Sequence, residues 1–215
     1  MADFNVAQCL MNGGGFSTDE MQDILAEAED DESVLVQHLS DEVEIDSRPV
    51  KTAVLRAAGA SCPQDRVEIY AEYMELLLDS LQSMAGTQAV LSPVSITEMA
   101  WEPNHGASQA LKSAMGFVPG IIATDDVFLE LAKRYSQEEL PDIDEMAVDS
   151  VEEFLNVVNG LFTIQLAKEK ITAELDLPRS GENVQPVGGE QLRLRVITAF
   201  GSFEAVFSAD EFITE

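Results

Sequence analysis

Apolar residues along the chain alternate between helical stripes and short strand-like runs. Val67, Tyr70, Tyr73 or Met74, Leu77 and Leu81 recur at helical spacing, which predicts a helix from about Asp65 to Met84 that stops at Gly86. Three strands are predicted next: Ala89–Met99, with Pro93 favouring an edge position, then Ala110–Met115 and Gly120–Ala123. Asp125 opens a helix to about Tyr135, and Pro141-Asp142 opens a long one over 142–170. Ile171–Leu177, Gln191–Phe200 and Ser202–Ser208 read as three further strands, the last two a hairpin across Gly201. Helices that arrive in pairs between blocks of strands predict an α+β domain. Its antiparallel sheet has about six strands, with the long helix 142–170 along one face.

The first 65 residues have a different character. Gly13-Gly14-Gly15 breaks the chain, and Ser17-Thr18-Asp19-Glu20 then offers an N-cap with acids in the first turn. Met21, Ile24, Leu25 and Ala28 follow at helical spacing, and shorter helices are predicted for Glu32–Leu39 and Val50–Ala58. Cys62-Pro63 reads as a linker. The division expected is therefore an acidic helical appendage over 1–65 and a main domain over 66–215.

Charge narrows the range of partners. Forty acidic residues face twelve basic ones among 215, a net charge of −28. Such a surface repels phosphate backbones and anionic lipid, so neither nucleic acid nor membrane is an expected partner. The acidity serves solubility or salt adaptation, or else docking to a basic or metal-bearing partner. No stretch of about 18 apolar residues is present, and Met1-Ala2-Asp3-Phe4-Asn5 has neither a basic nor an apolar signal region. Cys9 and Cys62 fit no metal-binding spacing and read as free thiols, so a cytoplasmic location is expected.

The segment richest in chemistry runs from Asp149 to Gly160. On a helix at about 100° per residue, Val151, Phe154, Leu155, Val158, Leu161 and Phe162 form one stripe, the expected buried face. Asp149, Glu153, Asn156 and Gly160 gather on the other side, which makes Glu153 and Asn156 neighbours. Gly160 costs a helix about 1 kcal/mol relative to alanine, and Asn156 and Asn159 are mediocre helix formers. Packing alone would favour Ala, Lys or Glu there. Gly160 also removes bulk, so that another protein's backbone could approach. A Glu-x-x-Asn pair is nevertheless common in chains of ordinary composition, so its context decides.

That context resembles the CheC/CheX/FliY family of chemotaxis phosphatases. The family motif is Asp or Ser, three residues, Glu, two residues, Asn, and a proline about twenty-two residues on; this chain has Asp149, Glu153, Asn156 and Pro178. Asn159-Gly160 and the order of elements over roughly 66–215 are also similar to the family. The first helix offers Glu72 and Glu75 but no asparagine, so a single motif late in the chain looks like the CheX branch. The resemblance implies hydrolysis of the aspartyl phosphate on a CheY-type response regulator. Asn156 would position the attacking water and Glu153 would meet the regulator's lysine, with Asp149 and Gly160 shaping the docking face. It implies no cofactor or metal on this chain, since Mg²⁺ would be carried by the regulator. It also implies a possible homodimer through sheet edges, for which the apolar strands over 191–208 are suited. A non-catalytic adaptor using the same helix face is the alternative.

Other residues offer less. His38 and His105 are isolated and read as surface or loop residues. Gly13-Gly14-Gly15 lacks the Lys-Ser/Thr of a phosphate-binding loop. Trp101-Glu102-Pro103-Asn104-His105-Gly106 resembles a turn between strands. Met74, Met84, Met99, Met115 and Met146 read mostly as core.

Overall fold

The structure, a computed structural model, describes residues 50–58, 64–96, 99–113, 116–187 and 191–213. The helices expected before Val50, with Gly13-Gly14-Gly15, Cys9 and His38, lie outside the described residues, as do Cys62-Pro63 and Met115. In chain order the elements are α1 (Val50–Ala58), α2 (Gln64–Met84), β1 (Ala89–Ser95), β2 (Asn104–Lys112), β3 (Val118–Thr124), α3 (Asp125–Ser136), α4 (Glu145–Lys168), β4 (Glu174–Glu182), β5 (Gln191–Thr198) and β6 (Gly201–Ser208). The strands form one open six-stranded antiparallel sheet in the order β1-β5-β6-β3-β2-β4. The α+β class and the strand count are those expected. Pro93 lies in β1, which is an edge strand, where a missing N–H is tolerated. The apolar hairpin strands β5 and β6, by contrast, are internal, so the edges available to a partner are β1 and β4.

The chain folds as two compact units. The first comprises the described residues up to Ser95 together with Leu194–Ser202. Here α1, expected to belong to the appendage, packs on α2 and β1 and buries Val50, Ala53 and Val54. The α2 stripe of Val67, Tyr70, Tyr73, Met74, Leu77 and Leu81 is buried as expected.

The second unit comprises Ile96–Arg193 and the described residues from Phe203 onward. In it α4 packs on β2, β4 and α3, while α3 also packs on β2 and β3. Phe117 links two parts of this core, its ring 5.7 Å from those of Phe162 on α4 and Phe207 on β6. Asp144 caps α4: its side chain accepts from the Ala147 amide at 3.0 Å, so the helix begins at Glu145 rather than at Asp142.

β1, expected to reach Met99, ends at Ser95, and two strands differ more from expectation. The residues read as a turn, Asn104-His105-Gly106, open β2 instead, paired with Thr124, Ala123 and Ile122 of β3. Asn104 secures this start, because its Oδ1 accepts from the Val184 amide at 2.8 Å and its Nδ2 donates to the Val184 carbonyl at 3.3 Å. Turn-like composition is thus outweighed by strand pairing that is distant in sequence. Likewise β4 starts late, at Glu174, and runs through Pro178, which the edge position allows.

Candidate functional site

Packing sets the orientation of α4. Ala147, Val151, Phe154, Leu155, Val158, Phe162 and Leu166 are buried, and each large apolar side chain so buried contributes about 1.5–3 kcal/mol. Asp149, Glu153, Asn156 and Gly160 therefore share the opposite side, with Asp149 and Glu153 exposed and Asn156 and Gly160 half-buried. Asn156 Nδ2 donates to Glu153 Oε2 at 3.2 Å. A β-carbon added at Gly160 would meet nothing within 4 Å, so no packing among the described residues requires a glycine there.

Exposed apolar side chains flank this polar pair. Met146 is 57% exposed and Ile164 58%, and Leu161, placed in the buried stripe by periodicity, is 43% exposed. Met146 and Met99 thus stand outside the core, whereas Met74 is fully inside it. Exposed Met146, Leu161 and Ile164 are spread along the same helix as the polar pair, a composition that suits protein docking.

Underneath lies a buried amide network. Asn159 is fully buried, and its Nδ2 donates to Gln109 Oε1 at 2.9 Å. Gln109, on β2, donates from Nε2 to Asn156 Oδ1 and to the Asp176 carbonyl, both at 2.9 Å. Asp176 is itself held: its Oδ2 pairs with Lys112 Nζ at 2.8 Å and its Oδ1 accepts from the Leu177 amide at 3.0 Å. The hydrogen bond from Lys112, followed by that from Leu177, holds the Asp176 carboxyl below its ordinary value. Pro178 pairs with Gln109 across the β2–β4 ladder, beside a register shift. Gln109 escapes sequence reading because β2 begins earlier than composition suggests, so nothing marks it as an inward residue beneath α4.

Electrostatics bear on one neighbour of the site. The Tyr135 phenol is held above its ordinary value, mainly by burial and then by the charge of Glu153. The Tyr135 ring meets Phe154 edge-on, with centroids 5.7 Å apart. His105, read as isolated, is instead largely enclosed in the second unit: its Nδ1 is 2.8 Å from Asp125 Oδ1 and its Nε2 3.8 Å from Glu182 Oε1. Among the described residues no cluster of three or more His, Cys, Asp or Glu side chains is placed to hold a metal ion. No helix among them is long and apolar enough to cross a membrane.

Residues 110–194, which include α4 and Pro178, match the family model for the chemotaxis phosphatase CheX. A comparison with curated protein sequences found no match. Among solved structures, the chain is similar to a CheX from Desulfovibrio desulfuricans, with a TM-score of 0.57 and 16% identity over 66% of this chain and 98% of that one. It is also similar to CheX from Vibrio vulnificus, with a TM-score of 0.56 and 16% identity over 65% and 97% of the two chains. FliY from Thermotoga maritima gives a TM-score of 0.53 and 17% identity over 71% and 93%. At such identities the likeness is one of fold, while the family match is one of sequence. Residues 110–194 are thus similar in sequence to CheX, and the fold is one shared with CheX and FliY proteins.

Proposed function

We propose that the protein dephosphorylates the aspartyl phosphate of a CheY-type response regulator, using the Glu153–Asn156 face of α4. The observation that carries this reading is the Asn156 amide, bonded to exposed Glu153 on one side and to buried Gln109 on the other. Hydrolysis requires a water in line with the phosphorus, opposite the bond from phosphorus to the aspartyl oxygen. Holding a reactant in place is much of the catalysis of phosphoryl transfer. A neutral amide can hold that water beside three phosphoryl oxygens, where a carboxylate would be repelled. The attack forms a phosphorus–oxygen bond to the water and breaks the one to the aspartate. Inorganic phosphate leaves, the aspartate regains its carboxylate, and the water's proton passes to the phosphate. Glu153 pairs with the regulator's lysine, which fixes the pose. The regulator carries its own Mg²⁺. Asp149, Gly160 and the exposed Met146, Leu161 and Ile164 form the docking surface, where apolar contact supplies affinity.

The test is to mix the full chain with phosphorylated CheY-type regulators and follow phosphate release. Release by the wild type, lost in Asn156→Ala, is the expected result. Binding without accelerated release would identify an adaptor instead.

A further inference from the structure

We infer that Gln109 is the positioning residue for Asn156, an assignment that rests on the phosphatase reading above. Gln109 is 1% exposed, a depth at which an unpaired amide is costly and an apolar side chain of the same length would be the ordinary choice. It is retained with its main capacity in use: one acceptor filled by Asn159, and two donors spent on Asn156 and the Asp176 carbonyl. The direction of these bonds matters. The Asp176 carbonyl can only accept, so the Gln109 nitrogen is turned to it and to Asn156, and the Gln109 oxygen to Asn159. Asn156 then turns its oxygen inward and its nitrogen outward, toward Glu153.

Without that constraint only the bond to exposed Glu153 holds the orientation of Asn156. The terminal torsion of an asparagine is broad and roughly two-fold, so the amide can turn over with little intrinsic penalty. Turned over, it would present oxygen to the Glu153 carboxylate and would offer the water the wrong group. A site that acts by placing one water depends on such a supporting contact. The edge strand contributes as well. The β2–β4 register shifts between Gln109 and Leu111, beside Pro178, which has no N–H to give the ladder. The Asp176 carbonyl accepts from the Gln109 side chain there. The proline of the motif and the asparagine of the motif thus meet at one glutamine that lies outside it.

A purely structural Gln109 would satisfy the Asp176 carbonyl and Asn159 without any effect on Asn156. Two variants of the full chain separate the roles. Gln109→Met keeps the volume and removes every hydrogen bond. Gln109→Glu keeps the acceptor for Asn159 and removes the donors. Gln109→Met is expected to lower kcat about ten- to a hundredfold with KM within about twofold, and to add nothing in an Asn156→Ala background. Gln109→Glu is expected to be impaired at neutral pH. Its rate relative to wild type should recover as pH falls, because the protonated carboxyl regains an O–H for Asn156 Oδ1. Should Gln109→Met not fold, this pH profile decides alone. Side-chain amide NMR of Asn156 supplies a readout independent of turnover: its two Nδ2 protons should shift or broaden in both variants. Unchanged Asn156 resonances, a kcat like wild type, or a loss that adds to that of Asn156→Ala would each overturn the assignment. If wild type hydrolyses no phosphorylated regulator, the phosphatase reading fails, and the Asn156 resonances still decide whether Gln109 orients that amide.

Discussion

Helices α2 and α4 are similar in length, 21 and 24 residues, yet they use their surfaces in opposite ways. In α2 the apolar stripe is buried, and so are Ile69, Ala71, Leu78 and Ser80 around it. What α2 leaves exposed among its described side chains is polar: Glu68, Asp79, Gln82 and Ser83. In α4 burial is one-sided, and the opposite face mixes Glu153 and Asn156 with exposed Met146, Leu161 and Ile164. The titrating groups record the same contrast. Burial alone pushes the Tyr73 phenol of α2 far up, whereas Tyr135 near α4 also responds to the charge of Glu153. Glu72 and Glu75 of α2 are half-buried and have no asparagine three residues on, so the Glu-x-x-Asn pair stands on α4.

The contrast can be broken at its strongest point first. Phe154→Ala on α4 and Leu77→Ala on α2 both empty fully buried sites, and each should lose about 2–5 kcal/mol of stability in chemical denaturation. Losses well below that range would mean that one of these cores repacks freely. Asn156→Ala on the opposite face of α4 should act differently. Phosphatase rate should fall on the order of 10²-fold, by analogy with lost catalytic hydrogen-bonding groups, while stability falls by no more than the about 1–3 kcal/mol of a Gln109 donor left unpaired, less than for Phe154→Ala. Glu153→Ala should mainly weaken binding of the regulator, more at low salt than at high, as expected for a screened interfacial charge pair. A salt-independent loss of binding would argue against a charge contact there.

Gly160→Ala sharpens the comparison further. Alanine has open space at this position and should raise stability by about 1 kcal/mol. If the glycine serves close approach by a partner, the same change weakens binding, and stronger or equal binding would remove it from the docking surface. The smallest effect is expected from Asp176. Its carboxyl is held low in the folded state, so the stability it contributes is present above the unfolded value, about 3.9, and is lost as pH falls through the folded one. The Lys112 pair is solvent-exposed and screened, so Asp176→Asn should differ from wild type only slightly in melts at neutral pH, and not at all at the most acid pH. A larger gap at acid pH than at neutral pH would reverse the sign.

Periodicity by itself determined much of this protein. The spacing of Val151, Phe154, Leu155 and Val158 settles which side of α4 is buried, and hence that Glu153 and Asn156 share the other, because helix geometry is local. The six-stranded antiparallel class was legible in the order of elements, and the motif residues, including Pro178, in the resemblance to the family. Only tertiary structure decided the rest. It opened β2 at Asn104, because pairing with β3 and the Asn104–Val184 bonds outweigh turn-like composition. It turned Leu161 and Met146 outward, where nothing in their hydrophobicity says how far the core extends. It also buried Asn159 against Gln109. Residues 109 and 159 are neighbours because β2 passes beneath α4, and contact at such separation leaves no local pattern in the chain.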